Sequence, residues 1–205
     1  MKNKIKIYIF IFFCSFFLIK NVFANEPFIF EVTEIEILEN GNQINGYKGG
    51  TATSEDGSTI DAENFYYNKL TNILEATGNV IYLDKIKNVT ITADKAIYLK
   101  NKEKIYAIGN SKAASENNTI TASNLEYDKI NNIFEAKKNA VANDFEKETI
   151  LYADEISYLK NEEKIFTKGK TKASIKNKYI FNSKNITYFV NLGNLISKNK
   201  STLED

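Results

Sequence analysis

The chain has 205 residues, with 27 basic and 26 acidic side chains and a formal net charge of +1. Histidine and arginine are absent, and Cys14 is the only cysteine. This composition excludes Ser-His-Asp and Cys-His nucleophile systems, ordinary zinc sites and the strongly basic surface of a general nucleic-acid-binding protein.

The first element along the chain is an apolar run over residues 7–19, preceded by Lys2, Lys4 and Lys6. A positive end followed by a short apolar run is typical of a secretory signal peptide, and the run is short for a membrane span. Cys14 is a poor candidate for lipid attachment because bulky phenylalanines, not small residues, precede it.

A relaxed A-x-A pattern ends at Ala24, and a polar segment follows. We therefore predict a signal peptide over residues 1–24 and a secreted domain over residues 25–205. Cleavage removes four lysines and leaves 23 basic against 26 acidic residues, a net charge of −3. The alternative at this point is an uncleaved anchor helix.

An internal repeat of about thirty residues dominates the remaining chain. Tyrosines recur at intervals of 29 to 31 residues, at Tyr67, Tyr98, Tyr127, Tyr158 and Tyr188. A small residue stands five positions before each of them, at Ala62, Ala93, Ala122, Ala153 and Ser183. The repeat predicts about five copies of one two-strand unit.

Each unit reads as a β-hairpin, because apolar and polar residues alternate on both sides of a polar tract. Leu74, Ala76 and Val80, for example, alternate with polar side chains. Tracts rich in Asn, Asp and Lys predict turns within the units and between them. These turns are expected at residues 68–72, 84–88, 100–104, 128–132 and 143–147.

The first strand of each unit changes the parity of its apolar positions midway. Ile91 and Ala93 share one parity, whereas Ala96 and Tyr98 share the other. A β-bulge or bend would return all four to one face, and we expect bends at about Asn64, Lys95 and Asn124. The predicted fold is an all-β, antiparallel, repeat-built β-jellyroll, a twisted V-shaped open sandwich of about 10–14 strands.

The repeat also resembles a known family. The segments Ile-Thr-Ala-Asp-Lys-Ala-Ile-Tyr (91–98), Ile-Tyr-Ala-Ile-Gly-Asn (105–110) and Ile-Leu-Glu-Ala-Thr-Gly-Asn-Val (73–80) are similar to the repeat of the OstA-like proteins of lipopolysaccharide transport. The resemblance extends over residues 30 to 197, and Lys138 departs from it where the pattern has glycine.

The resemblance implies a non-enzymatic periplasmic protein that shields the acyl chains of lipopolysaccharide, or of a related glycolipid, on the way from the inner to the outer membrane. It implies sheet-edge docking to inner-membrane and outer-membrane transport components, head-to-tail homo-oligomers, and no cofactor, metal or nucleic acid. Length and signal favour the soluble bridge member of the family. The predicted lipid-binding groove consists of apolar and small residues, namely Ile60, Ala62, Phe65, Tyr67, Leu74, Ala76, Ile91, Ala93, Tyr98, Ile105, Ala107, Ile120, Ala122, Leu125, Tyr127, Phe134 and Ala136.

Three other functions stay open from the sequence. A structural or adhesive β-repeat protein of the cell envelope would have a closed core in place of a cleft. A signal-anchored inner-membrane adaptor of the same transport system would keep its apolar N-terminal segment. A carbohydrate-acting enzyme would need an acidic pair on a concave aromatic surface, and the chain has no tryptophan.

Overall fold

The structure is a computed structural model that describes residues 27–205. The predicted signal peptide, residues 1–24, lies outside the described residues. Three 3-10 turns occupy Glu39–Gly41, Lys100–Lys102 and Lys160–Glu162. The strands are β1 (Phe28–Leu38), β2 (Gln43–Ser54), β3 (Thr59–Ala62), β4 (Asn64–Asn68), β5 (Ile73–Asp84), β6 (Val89–Leu99), β7 (Lys104–Ser115), β8 (Asn118–Asp128), β9 (Ile133–Asp144), β10 (Thr149–Leu159), β11 (Lys164–Lys168), β12 (Lys170–Ile175), β13 (Tyr179–Lys184), β14 (Thr187–Phe189), β15 (Asn194–Ile196) and β16 (Thr202–Glu204).

All sixteen strands belong to one antiparallel sheet in which most strands pair with their neighbours along the chain. The predicted all-β, antiparallel, repeat-built fold is confirmed. There are more strands than predicted because three long strands are interrupted at their bends, giving β3 and β4, β11 and β12, and β13 and β14, and two short strands follow them. Within residues 27–205, no helix is long and apolar enough to cross a membrane.

Four of the hairpin turns contain the same kind of hydrogen bond between a side chain and the backbone. The Asp84 side chain accepts a hydrogen bond of 2.9 Å from the backbone N–H of Lys87, three residues later. Asn68, Asp128 and Asp144 do the same in their own turns. Short acidic or amide side chains stabilise turns in this way, which explains why these residue types punctuate the repeat.

The long strands bend in the middle and divide the sheet into two lobes. The first lobe contains the segments that carry the repeating tyrosines, such as 64–68 and 95–99, and the second lobe contains segments such as 59–62 and 80–84. At β10, residues 155–159 pair with β11 in the first lobe, whereas Thr149–Tyr152 pair with β12 in the second. The apolar faces of the two lobes pack against each other and form one core.

The bends occur close to the predicted positions. Their main cause is an additional residue on the strand that pairs with the one carrying the predicted position. The pairing register shifts between Thr92 and Lys95 and between Thr121 and Asn124. The additional residues that produce these shifts lie on β7 and β9. On β7 they are Gly109 and Asn110, both with left-handed backbone angles, φ of 77° and 46°.

Side chains opposite the bends stabilise this geometry. Asn110 donates a hydrogen bond of 3.0 Å to the carboxylate of Asp94, and Asn79 donates one of 2.7 Å to Glu63. A side chain on Gly109 would collide with that of Asp94. The left-handed backbone at the bends therefore favours the recurring Gly-Asn pair.

Replacement of Lys138 by glycine tests this account of the bends. Lys138 takes the place of the glycine in β9 and adopts a left-handed φ of 67°. We expect Lys138→Gly to raise the free energy of unfolding by about 1 kcal/mol, because glycine adopts this conformation without steric strain. The measurement is urea denaturation monitored by circular dichroism.

The neighbouring residue provides the control. Lys137 is also exposed, and it lies next to the left-handed pair of Lys138 and Asn139. Lys137→Gly should lower the free energy of unfolding by about 0.5–1 kcal/mol. Equal effects of the two substitutions would contradict the proposed role of the left-handed pair.

Candidate lipid-binding interior

The structure brings every predicted groove residue into the interior between the two lobes. Each of the seventeen is between 0 and 8% exposed, and all belong to the same apolar core. The strand register explains why these residues lie together, because the parity change at each bend keeps the apolar side chains of both halves of a strand facing inward. In this structure these residues are therefore core residues, and their role in lipid contact stays a prediction.

Aromatic rings from both lobes form the centre of the interior. Tyr127 stacks on Phe134, with ring centroids 4.4 Å apart and an interplanar angle of 7°. Tyr82 of the second lobe lies 6.4 Å from Tyr127 of the first. Phe28 contacts the edges of Tyr67 and Tyr98. Such aromatic pairs add to the stabilisation from apolar burial.

The recurrence of tyrosine follows from the polar end of its side chain. The Tyr67 hydroxyl lies 2.8 Å from the Asn72 side chain, and the Tyr127 hydroxyl lies 3.0 Å from that of Asn132. In each case the partner ends the following turn. The ring fills the interior while the hydroxyl reaches the rim, an arrangement that phenylalanine cannot provide.

The interior is filled in this structure. A cavity of about 10 Å³ remains among its side chains, lined by residues that include Ala113, Ile120, Phe134 and Tyr158. A larger depression of about 660 Å³ lies on the outside of the second lobe, next to Val141. An acyl chain can therefore occupy the interior only if the lobes move apart.

The apolar layer of the interior continues to solvent at both ends of the sheet. At the N-terminal end, Ile35 and Ile37 of β1 lie opposite Gly46 and Ile44 on the inner face, yet they are 53% and 61% exposed. At the C-terminal end, Leu203 of β16 pairs with Phe181 and is 64% exposed. Each end thus presents apolar side chains beside an unpaired strand edge.

Opposite the bends, the turns of the two lobes meet along a line that we call the mouth. Its first-lobe turns are 69–72, 100–103, 129–132, 160–163 and 190–193. Its second-lobe turns are 55–58, 85–88, 116–117, 145–148 and 176–178. Side chains bridge the two sets of turns along most of this line.

Lys129 is the most buried of the bridging lysines, with a side chain only 3% exposed. Its Nζ lies 2.6 Å from Asp56 Oδ2 in the other lobe and 3.1 Å from Glu103 Oε2 in its own. It also donates a hydrogen bond of 2.8 Å to the Tyr98 hydroxyl. A buried ammonium group needs this number of partners, because an unpaired charge is costly away from water.

Four more contacts connect the two lobes along the mouth. The Nζ of Lys100 lies 3.4 Å from the Glu55 carboxylate. Lys87 donates to the backbone carbonyl of Lys129, and Lys160 donates to that of Lys87 over 2.6 Å. The Tyr188 hydroxyl donates to the Asp144 carboxylate over 2.7 Å.

The electrostatics agree with this geometry. Burial alone would raise the pKa of Asp56, but hydrogen bonds from Lys129 and Ser58 hold that pKa well below its ordinary value. Burial likewise opposes ionisation of Glu103, and hydrogen bonds from Lys100 and Tyr98 lower its pKa. Asp56 and Glu103 are therefore ionised at neutral pH.

Sequence reasoning identified 17 of the 34 buried apolar residues in the part of the chain that the structure describes, and it missed the mouth. It missed Phe28 and Tyr82, although the parity of Val80 could have indicated Tyr82. It also missed Lys129, for which no signal was available, because a lysine in a polar turn normally points to solvent.

The sequence model of the OstA-like protein family matches residues 29–140, which is more than half of the chain. The chain belongs to the OstA-like family. The match ends within β9, so the last third of this OstA-like chain is assigned to the same fold by its pairing with β9 and β10.

Two further comparisons concern individual proteins. The chain is similar to LptH, the LptA-homologous periplasmic component of the lipopolysaccharide transport device of Pseudomonas aeruginosa. The two are 12% identical, the alignment covers 72% of this chain and 94% of LptH, and the TM-score is 0.32. No curated protein matches this OstA-like chain.

Removal of the Lys129 side chain tests whether the mouth contributes to stability. We expect Lys129→Ala to lower the free energy of unfolding by about 2–4 kcal/mol, since the substitution deletes buried ion pairs and leaves a void. Lys129→Met should cost less, because it keeps most of the volume. Urea denaturation gives both values.

Lys48 is the control, because it forms an ion pair with Glu34 while its side chain is 65% exposed. Lys48→Ala should change the free energy of unfolding by no more than about 0.5 kcal/mol. A similarly small effect of Lys129→Ala would show that the mouth bridges do not hold the lobes together.

Proposed function

We propose that this OstA-like protein is a periplasmic carrier or bridge that shields the acyl chains of lipopolysaccharide, or of a related glycolipid, between its two lobes during transport from the inner to the outer membrane. The observation that carries the proposal is the continuous apolar inner face. It runs through the whole sheet and ends in exposed Ile35, Ile37 and Leu203. The core of an ordinary β-sandwich does not leave inward-facing apolar residues of this size exposed to water.

Transfer of hydrocarbon into this interior is driven by the hydrophobic effect. Each methylene group removed from water contributes about 0.8 kcal/mol. The small side chains of Ala76, Ala107 and Ala136, all completely buried, alternate with large ones along the inner face. Small positions of this kind leave room for acyl chains once the lobes separate. No covalent chemistry is required, and we infer that the protein is not an enzyme.

Both ends of the sheet suit the assembly of a bridge. The outer edge of β1 and the edges of β15 and β16 are unpaired in the described chain. An exposed edge can add a strand from a second copy or from a membrane-bound component. The exposed apolar residues at each end would then join two interiors into one continuous path. We propose head-to-tail self-association and docking to inner-membrane and outer-membrane transport components on this basis.

A structural β-repeat protein of the cell envelope is the second candidate. The filled interior favours it, because the cavity between the lobes measures only about 10 Å³. However, a structural β-repeat protein would have no function for the exposed inner-facing residues at the two ends of the sheet. The two candidates differ in one measurable property, namely whether lipid reaches the inner face.

Photocrosslinking in cells distinguishes these candidates. Tyr66 and Tyr67 are neighbours on opposite faces of β4, with exposures of 44% and 0%. A photoreactive phenylalanine derivative at residue 67 should crosslink to lipopolysaccharide, whereas the same group at residue 66 should not. The products are identified by immunoblotting against lipopolysaccharide and by mass spectrometry.

A third position tests the ends of the sheet. Ile37 lies on the edge strand, and a photoreactive group there should crosslink both to lipid and to protein. Equal lipid crosslinking at residues 66 and 67, or none at 67 while the variant remains folded, would favour the structural repeat protein.

A further inference from the structure

The mouth is the side on which the two lobes can separate. On the opposite side, the strands pass through the bends from one lobe to the other and are covalently continuous. At the mouth, only side-chain bridges connect the lobes. If the bends act as a hinge, breaking these bridges exposes the interior along its full length.

The lysines of the mouth have partners that an anionic group can replace. Lys87 and Lys160 bridge the lobes by donating to neutral backbone carbonyls, not to carboxylates. Hydrogen bonds from ammonium groups to ionised oxygens are roughly twice as strong as those to neutral acceptors. Burial also lowers the pKa of Lys160, although Asp84 and Glu116 oppose the shift, so its charge is incompletely compensated.

Apolar side chains stand at the tips of the same turns. Ile86 in the second lobe is 85% exposed, and Ile130 in the first lobe is 69% exposed. Each is adjacent to a bridging lysine, Lys87 or Lys129, and these two turns contact each other. Leu70, Phe145 and Leu192 occupy similar exposed positions in three further turns of the mouth. Lysines and exposed apolar side chains therefore lie side by side in the mouth, among carboxylates that pair with some of the lysines. Lysines whose acceptors are neutral can bind the negatively charged head of an amphiphile.

The C-terminal part of the mouth is less tightly closed. A polar depression of about 460 Å³ lies there between the lobes, lined by Lys147 and Lys160 and by the acidic residues Glu116, Asp144, Glu146 and Glu163. Tyr158 forms part of its wall and also lines the small interior cavity. The depression and the apolar core are therefore adjacent at this point.

We propose that an anionic amphiphile enters the interior through the mouth, where its phosphate replaces the neutral carbonyl acceptors of Lys87 and Lys160 while its acyl chains pass between the lobes. This inference rests on the proposed lipid-carrier function and adds the route and the selectivity. The phosphate opens the mouth, so a neutral amphiphile with the same acyl chains opens it poorly.

The test measures the width of the mouth by pulsed electron spin resonance. Nitroxide labels are attached to Ile86→Cys and Ile130→Cys in a chain that also carries Cys14→Ser, which removes the only native cysteine. The probes are dimyristoyl phosphatidic acid and dimyristoylglycerol in nonionic detergent micelles. Binding is measured separately from the amount of lipid that elutes with the protein on gel filtration.

Without lipid, the labels should give one short distance. Phosphatidic acid should produce a second, longer distance, populated at least about fivefold more than with the glycerol lipid. Lys87→Met and Lys160→Met should each reduce this difference, because each removes an ammonium group that donates to a neutral carbonyl. Lys48→Met, on an exposed pair away from the mouth, should leave it unchanged.

Two results would overturn the inference. Binding of phosphatidic acid without a longer distance would exclude the mouth as the route, and equal opening by both lipids would exclude selection by phosphate. Both results leave the lipid-carrier function intact. Absence of binding of either lipid would contradict the carrier function itself, and this inference with it.

Discussion

The left-handed residue pair in the middle of the long strands is the constraint on which the rest of the structure depends. Gly109 and Asn110 insert an additional residue into the pairing register, and the facing strand changes parity at the same point. Because comparable shifts occur in the neighbouring strands, the sheet bends along one line and its two lobes face each other. Without the bends, half of the apolar residues would point to solvent.

The proposed carrier function requires one set of residues to serve as core and as lipid site. In this structure, the inner faces of the lobes pack against each other and leave a cavity of only about 10 Å³. A carrier of this kind must exchange contacts between protein side chains for contacts with acyl chains. Both kinds of contact are apolar, so the net cost of the exchange is concentrated in the polar bridges of the mouth. Under the proposed function, specificity for the lipid can then reside in Lys87 and Lys160.

The fold and about half of the buried apolar residues could be predicted from the sequence. The thirty-residue period, the alternation and the parity change of Ile91 and Ala93 against Ala96 and Tyr98 each depend on local pairing geometry, which a repeat makes visible five times. The bridges of the mouth depend on residues more than seventy positions apart, such as Asp56 and Lys129. No local pattern marks such a pair. The sequence also could not predict whether the interior is packed or open, because a lipid groove and a packed core use the same residue types.

The most direct test of the account is nuclear magnetic resonance of the chain labelled at its isoleucine methyl groups, with lipopolysaccharide added. Ile105 and Ile120 are inward-facing and 0% and 3% exposed, whereas Ile81 and Ile108 face outward and are 42% and 39% exposed. The account predicts nuclear Overhauser effects from acyl-chain protons to the methyl groups of Ile105 and Ile120 and none to those of Ile81 and Ile108. Contacts confined to the outward pair, or their absence from all four under saturating lipid, would contradict the claim that acyl chains occupy the space between the lobes.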